Sequence, residues 1–273
     1  MNEALFWYGC NMTRHGEIIR LGTRLLEAVG VGARPVGGPS ACCGAPKETT
    51  PRIAEGMGRR TMQRFNEAGA EKLITWCPSC HMNLHDFMGA TVGQKAESAH
   101  LTETLWAHRA TLAPLLTHRV SARLLVHAHV GFADRVEVNR IVPDLLRLIP
   151  GVEIVEHAYR SPSYMCSGLV SIPGATADVR ANSVTAVAET GADTFVTIFH
   201  SCHREWVALE RDSGPRVVNW IHLLAEGMGW TYTDEYKAWR NSPDPAAAIG
   251  PDRIEAAGTD AVRKLVLPEL SRR

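Results

Sequence analysis

Short apolar runs alternate with amphipathic stretches along most of the chain. "ALFWYG" (4–9) and "KLITW" (72–76) are apolar runs of strand length and read as buried strands. Between them, "GEIIRLGTRLLEAVG" (16–30) sets Ile18, Leu21, Leu25, Leu26 and Val29 on one helical stripe. "TPRIAEGMGRRTMQRFNEAG" (50–69) has Thr50 at a cap position, Pro51 in the first turn and Gly69 at the end, the punctuation of a second helix. The order then repeats: strand-like "RLLVHAHV" (123–130), helix-like 136–151, helix-like 174–191, strand-like "TFVTIF" (194–199). The pattern predicts an α/β protein of two pseudo-repeated halves, each a small, mostly parallel sheet flanked by helices. The boundaries read as 1–118, 119–240 and a tail of 241–273. In the later stretch, 217–230 reads as an amphipathic helix, 241–253 as a Pro/Ala/Gly linker and 251–270 as a helix. That tail would cover its own domain or dock on a partner, the former being preferred.

Composition narrows the class. The chain has 273 residues with 29 Lys plus Arg against 29 Asp plus Glu, so no basic or acidic face marks a nucleic-acid or membrane-surface partner. No apolar run reaches the roughly 20 residues of a membrane helix. The N-terminus shows no basic segment followed by an apolar stretch, so the expected location is the cytoplasm. In a reducing compartment, seven cysteines point to metal binding or catalysis rather than disulfides.

Five of the seven lie early: Cys10, Cys42, Cys43, Cys77 and Cys80, spaced C-x31-CC-x33-C-x-x-C. Vicinal cysteines bond to each other only through a strained eight-membered ring, but both can reach one polynuclear centre. Cys10 and Cys77 each follow a predicted strand, and the crevice beyond the carboxyl ends of parallel strands is where such folds bind ligands. Cys80 would open the next helix, where backbone N–H groups favour thiolate. Five thiolates at one sheet edge exceed the needs of a tetrahedral zinc and suit an iron–sulfur centre.

The second half keeps fewer thiols. "SACCGAP" answers to "SYMCSGL", so Met165 stands for the first cysteine of the pair and Cys166 for the second. "SCHMNL" answers to "SCHREW", which sets Cys202 opposite Cys80 and Phe199 opposite Cys77. Counting from Cys166 instead sets His200 opposite Cys77 and His203 opposite Cys80. His127 and His129 stand near the position of Cys10. Three readings stay open. His127, His129, Cys166, His200, Cys202 and His203 would supply a small Cys/His site for zinc or a simpler cluster; Cys166 and Cys202 would be a catalytic redox dithiol facing the first-half centre; or the site is a relic with packing value. His81 is a candidate hydrogen-bond donor to cluster sulfur, and Arg14, Lys47 and Arg52 are candidates to offset cluster charge or hold an anionic thiol. His85, His100, His108, His118, His157 and His222 read as surface or satisfied core residues.

Over about residues 1–230 the cysteine pattern resembles the CCG-domain family, best known from the cysteine-rich subunit of heterodisulfide reductase. That family carries two motifs of this form, each holding a non-cubane [4Fe-4S] cluster, and the paired clusters split a disulfide in one-electron steps. The resemblance implies one such cluster here, on Cys10, Cys42, Cys43, Cys77 and Cys80. It implies an iron–sulfur subunit of a heterodisulfide-reductase-like complex, exchanging electrons between a thiol or disulfide substrate and partner flavin and ferredoxin-type iron–sulfur subunits. The chain has no C-x2-C-x2-C run, so cubane clusters would come from a partner. The departures at Met165, His127, His129 and His200–His203 set the two-cluster mechanism aside. The alternatives are a lactate- or glycolate-type oxidoreductase subunit and a diverged adaptor with a structural cluster.

Overall fold

The uninterrupted apolar runs become the central strands of two parallel sheets. The computed structural model describes residues 4–45, 50–212 and 214–272. In the first half, β1 (Ala4–Gly9) leads through α1 (Gly16–Ala28) to β2 (Ala33–Gly37). Helix α2 (Pro51–Glu67) leads to β3 (Lys72–Thr75), then α3 (Pro78–Asn83) and β4 (Glu97–His100), with α4 (Leu101–Ala107) after it. The sheet order is β2-β1-β3-β4, all parallel. The second half repeats it with β5 (Ala122–His127), α5 (Val138–Leu146), β6 (Val152–Val155), α6 (Ala175–Thr190), β7 (Thr194–Thr197), α7 (His200–Trp206) and β8 (Arg216–Asn219). Its order, β6-β5-β7-β8, is the same topology. Central strands carry the core: Leu5, Phe6, Trp7, Leu73, Ile74, Leu124, Phe195 and Val196 are all buried.

Several local expectations are corrected. The run 217–230 is not one helix: its start pairs as β8 and only then does α8 (Trp220–Gly227) begin. Asn219 enforces the break, its side chain accepting from the Ile221 N–H as a helix cap does. Thr50 stands at the cap of α2 without a side-chain cap bond. The presumed linker 241–253 follows α9 (Glu235–Asn241) and contains a one-turn helix, Pro245–Ile249, capped by Asp244. The tail covers its own chain, burying Leu270, while Arg240 donates to the carbonyls of Glu269 and Leu270 at 2.6 Å each. No helix among the described residues is long and apolar enough to cross a membrane.

The two halves meet through stacked Trp76 and Trp220 rings, 5.9 Å apart and 3° from parallel. Phe132 of the second half packs edge-on against His81 and His100 of the first. His100 has both nitrogens engaged, with Thr102 Oγ1 and the Trp76 carbonyl, each at 2.8 Å. Burial lowers its imidazole to about 4. The folded state therefore holds His100 neutral while the unfolded chain would protonate it. Its contribution is complete above the ordinary histidine value near 6.5 and is lost as pH falls toward 4. We expect His100→Gln to flatten the loss of thermal stability between about pH 7 and about pH 5. An acid branch of the melting curve identical in wild type and variant would remove His100 as a source.

Candidate metal centres at the sheet edges

At the end of β1, Gly9 turns at φ +80°, a conformation that favours glycine, and a Cβ there would lie 3.0 Å from Cys80 Sγ and 3.1 Å from Cys77 Cβ. Cys10 follows directly. Cys77 caps α3 and Cys80 stands in its first turn. Cys42 and Cys43 leave a 3-10 turn, Pro39–Ala41, whose last carbonyl accepts from the Trp7 indole at 2.9 Å. Thr61 Oγ1 donates to the Cys42 carbonyl at 2.8 Å, anchoring the pair against α2. Cys42 and Cys10 sulfurs are 3.4 Å apart.

These thiols act on one another. Hydrogen bonds from Cys10 and Cys43 bring Cys42 down to about 3. Cys77 is lowered by the Cys80 thiol and the backbone N–H groups of Cys80 and Ser79. Their donors shift the other way: Cys10 and Cys43 are raised by their bonds to Cys42, and Cys80 by Cys43 and Cys77. A tight group of thiols sharing protons is what soft-metal binding replaces with metal–sulfur bonds. We expect Gly9→Ala to disrupt this group. The left-handed φ costs about 1 kcal/mol or more, and the new methyl meets Cys80. Metal content of the variant equal to wild type would show the approach to be slack.

The group opens on a cavity of about 330 Å³ between the halves. One wall is Cys10, Cys43, Cys77, Ser79 and Cys80; the other is Tyr164, Met165, Ser167, Ser171 and His200. Ser79 Oγ lies 3.3 Å from Tyr164 Oη and donates to Met165 Sδ at 3.8 Å. Sequence reasoning missed Tyr164 and Ser79, because neither residue type signals a site by itself.

The second half places four of its six candidates together. His127 Nε2 is 3.2 Å from Cys166 Sγ, His129 Nε2 is 3.2 Å from Cys202 Sγ, and the Cys166 N–H donates to Cys202 Sγ at 3.4 Å. All four ligand atoms lie within 4.8 Å of one another and all four residues are buried. The edges of a tetrahedral zinc site with two sulfurs and two nitrogens are about 3.3–3.8 Å, so the set needs only slight adjustment. His129 Nδ1 donates to the Ser163 carbonyl at 2.9 Å, which leaves Nε2 as the lone-pair nitrogen facing the thiols. Burial pushes the Cys166 thiol well up and the His127 imidazole well down. Burial also opposes the Cys202 thiolate, but Cys166 and His129 outweigh it and leave Cys202 well below its ordinary value.

Helix caps decide the register. Phe199 caps α7 as Cys77 caps α3, so Cys202 is the counterpart of Cys80. Thr75 with His81 and Thr197 with His203 form matching pairs, Oγ1 to Nδ1 at 2.8 and 3.4 Å. His200 and His203 therefore stay out of the Cys/His group. His200 accepts from the Trp76 indole at 3.2 Å and faces the first-half cysteines across the cavity. His203 turns to Asp234 at 2.6 Å. Cys166 and Cys202, at 1% and 0% exposure, do not line the cavity, so the thiols expected to face the first-half centre lie behind its wall. His81 bonds Thr75 rather than a cysteine sulfur. Arg14 pairs with Glu269 at 3.2 Å, Arg52 is exposed, and Lys47 lies outside the described residues. His222, read as a surface or satisfied core residue, is buried with Nε2 unpaired.

Fold and site together define an α/β protein with cysteine-rich groups at its strand ends that could ligate metal. Residues 4–85 match the CCG family model, described as a cysteine-rich domain. No curated protein matches the chain. Among solved structures, a candidate Asp/Glu racemase from Yersinia pestis is 14% identical with a TM-score of 0.39, covering 83% of this chain and 98% of its own. An aspartate racemase homologue from Pyrococcus horikoshii is 6% identical with a TM-score of 0.35, covering 84% and 98%. Likeness at this level bears on neither chain's chemistry.

Proposed function

We propose that the chain is an iron–sulfur subunit of a heterodisulfide-reductase-like complex. Cys10, Cys42, Cys43, Cys77 and Cys80 would hold one non-cubane [4Fe-4S]-type cluster, which supplies one-electron chemistry and thiophilic iron when bound. The carrying observation is that four of these thiols, Cys10, Cys43, Cys77 and Cys80, form one wall of a cavity whose other wall has no cysteine. Between the walls a thiol or disulfide substrate would lie. Tyr164, Ser79 and Ser167 offer it hydroxyl groups, and Met165 a soft surface. His200, lowered to about 3 by burial, stays neutral there and adds no charge. Partner flavin and ferredoxin-type subunits would exchange the electrons.

His127, His129, Cys166 and Cys202 would hold a structural zinc. Four protein ligands, none exposed, describe a closed site. Attack on a substrate disulfide needs an accessible thiolate, and burial disfavours that role for Cys166 and Cys202.

Anaerobically purified protein should contain about four iron, about four sulfide and at least about one zinc per chain. Reproducible doubling of iron and sulfide would place a cluster in the second half too. Zinc without iron, even after anaerobic reconstitution, would sink the electron-transfer reading.

A further inference from the structure

Apart from both cysteine groups, the halves bury a second cluster of ligating side chains. His15 and Glu17 come from the start of α1, His203 from α7, His222 from α8, and Asp234 from the cap of α9. Ligand atoms of His15, His203 and Asp234 lie within 4.8 Å of one another, as do those of Glu17, His222 and Asp234. His15 is fully buried, yet neither ring nitrogen has a hydrogen-bond partner. Glu17 Oε1 and His222 Nε2 are likewise buried and unpaired. Glu17 Oε1 lies 3.8 Å from His15 Nδ1 and 3.6 Å from His222 Nε2, beyond hydrogen-bond reach. Orphaned groups of this kind cost about 1–3 kcal/mol each unless something fills the space between them.

The tautomers point to a cation. The Thr197 hydroxyl donates to the Val218 carbonyl at 3.2 Å, so it accepts from His203 Nδ1 and leaves His203 Nε2 with a lone pair. That lone pair meets Asp234 Oδ2 at 2.6 Å. Two acceptors at that distance need a proton or a metal ion between them. A proton there would leave His15 and Glu17 unpaired; an ion would gather all four. His222 plays a different part. Its Nδ1 accepts from the Asn219 N–H at 3.3 Å, so Nε2 carries the proton and faces Glu17 from 3.6 Å, outside hydrogen-bond reach and unable to act as a lone-pair ligand.

We propose a divalent transition-metal site formed by His15, Glu17, His203 and Asp234. Two neutral imidazoles and two carboxylates balance a dication, and the nitrogen/oxygen donor set suits zinc-class ions. Binding would open the His203–Asp234 contact to the about 3.3 Å edge of a tetrahedron. The ion ties the first half, through His15 and Glu17, to the second half and the segment after it. It lies one residue from Cys202 and five from Cys10 in sequence, so it braces both cysteine-bearing turns.

Zinc is the probe. Full-length protein, kept anaerobic with its cluster in place and freed of zinc by dialysis against a mild chelator, should bind about two zinc ions in wild type and about one in Cys166→Ser/Cys202→Ser. Adding His15→Gln to that double variant should abolish the remaining tight site, and x-ray absorption of the double variant should show nitrogen and oxygen around zinc without sulfur. If the double variant fails to fold, His15→Gln and Asp234→Asn in otherwise wild-type protein should each lower bound zinc from about two to one, with cluster iron unchanged. A zinc count that neither His15→Gln nor Asp234→Asn alters would overturn the site. So would a sulfur-only loss, in which all zinc disappears with Cys166 and Cys202 in a folded double variant.

Discussion

Cys42→Ser and Cys43→Ser are each expected to strip most of the cluster iron from anaerobically purified protein and bleach its visible absorbance. A hydroxyl is a hard, weakly acidic donor and replaces thiolate poorly at iron. The loss should exceed one ligand's share, because Cys42 is held well below the ordinary thiol value and Cys43 helps hold it so. Cys166→Ser is the matched control. Cys166 lies behind the opposite wall, bonded to His127, and its loss should leave iron, sulfide and spectrum nearly intact. Iron lost with Cys166→Ser but kept with Cys42→Ser would reverse the ligand assignment.

Removing both Cys166 and Cys202 is expected to have the largest effect on stability. Structural zinc binding reaches about 10–16 kcal/mol in small peptides, and two of four ligands would be gone. Even a third of that should lower the melting temperature by roughly 10 °C or more in a chain of this size. One zinc per chain should be released with it. If the pair were only packed thiols, Cys→Ala at both positions would cost a few kcal/mol at most and release no metal. Unchanged zinc in the double Ala variant would leave the pair as core residues and return the redox-dithiol reading to consideration.

The central strands were legible because full burial on both faces demands apolar runs, as in "ALFWYG" and "TFVT". The edge strands β2, β4, β6 and β8 were not. They are four or five residues long and carry Pro35, Glu97, Glu153 or Arg216, so their extended state comes from pairing with a central neighbour rather than from their own pattern. The same limit misread 217–230, where Val217 and Val218 suit either period until Asn219 caps the helix. At the site, spacing alone grouped the five early cysteines. It did not separate His200 from His203, because one residue rotates a helical position by about 100° and only the cap at Phe199 sets which face each occupies.

By itself the sequence determined the donor inventory: five soft thiols placed just beyond strands, a depleted second copy, and two α/β units in which to hold them. Those follow from local periodicity and residue chemistry, which need no knowledge of what lies across the molecule. Only the tertiary structure decided that Cys166 and Cys202 face His127 and His129 rather than the cavity, and that His200 crosses to the first-half thiols. It alone brought His15 to His203 and Asp234, and Glu17 to His222 and the same Asp234. Such meetings depend on how two sheets pack through Trp76, Phe132 and Trp220, and packing between distant segments leaves no period in the chain that either segment would show alone.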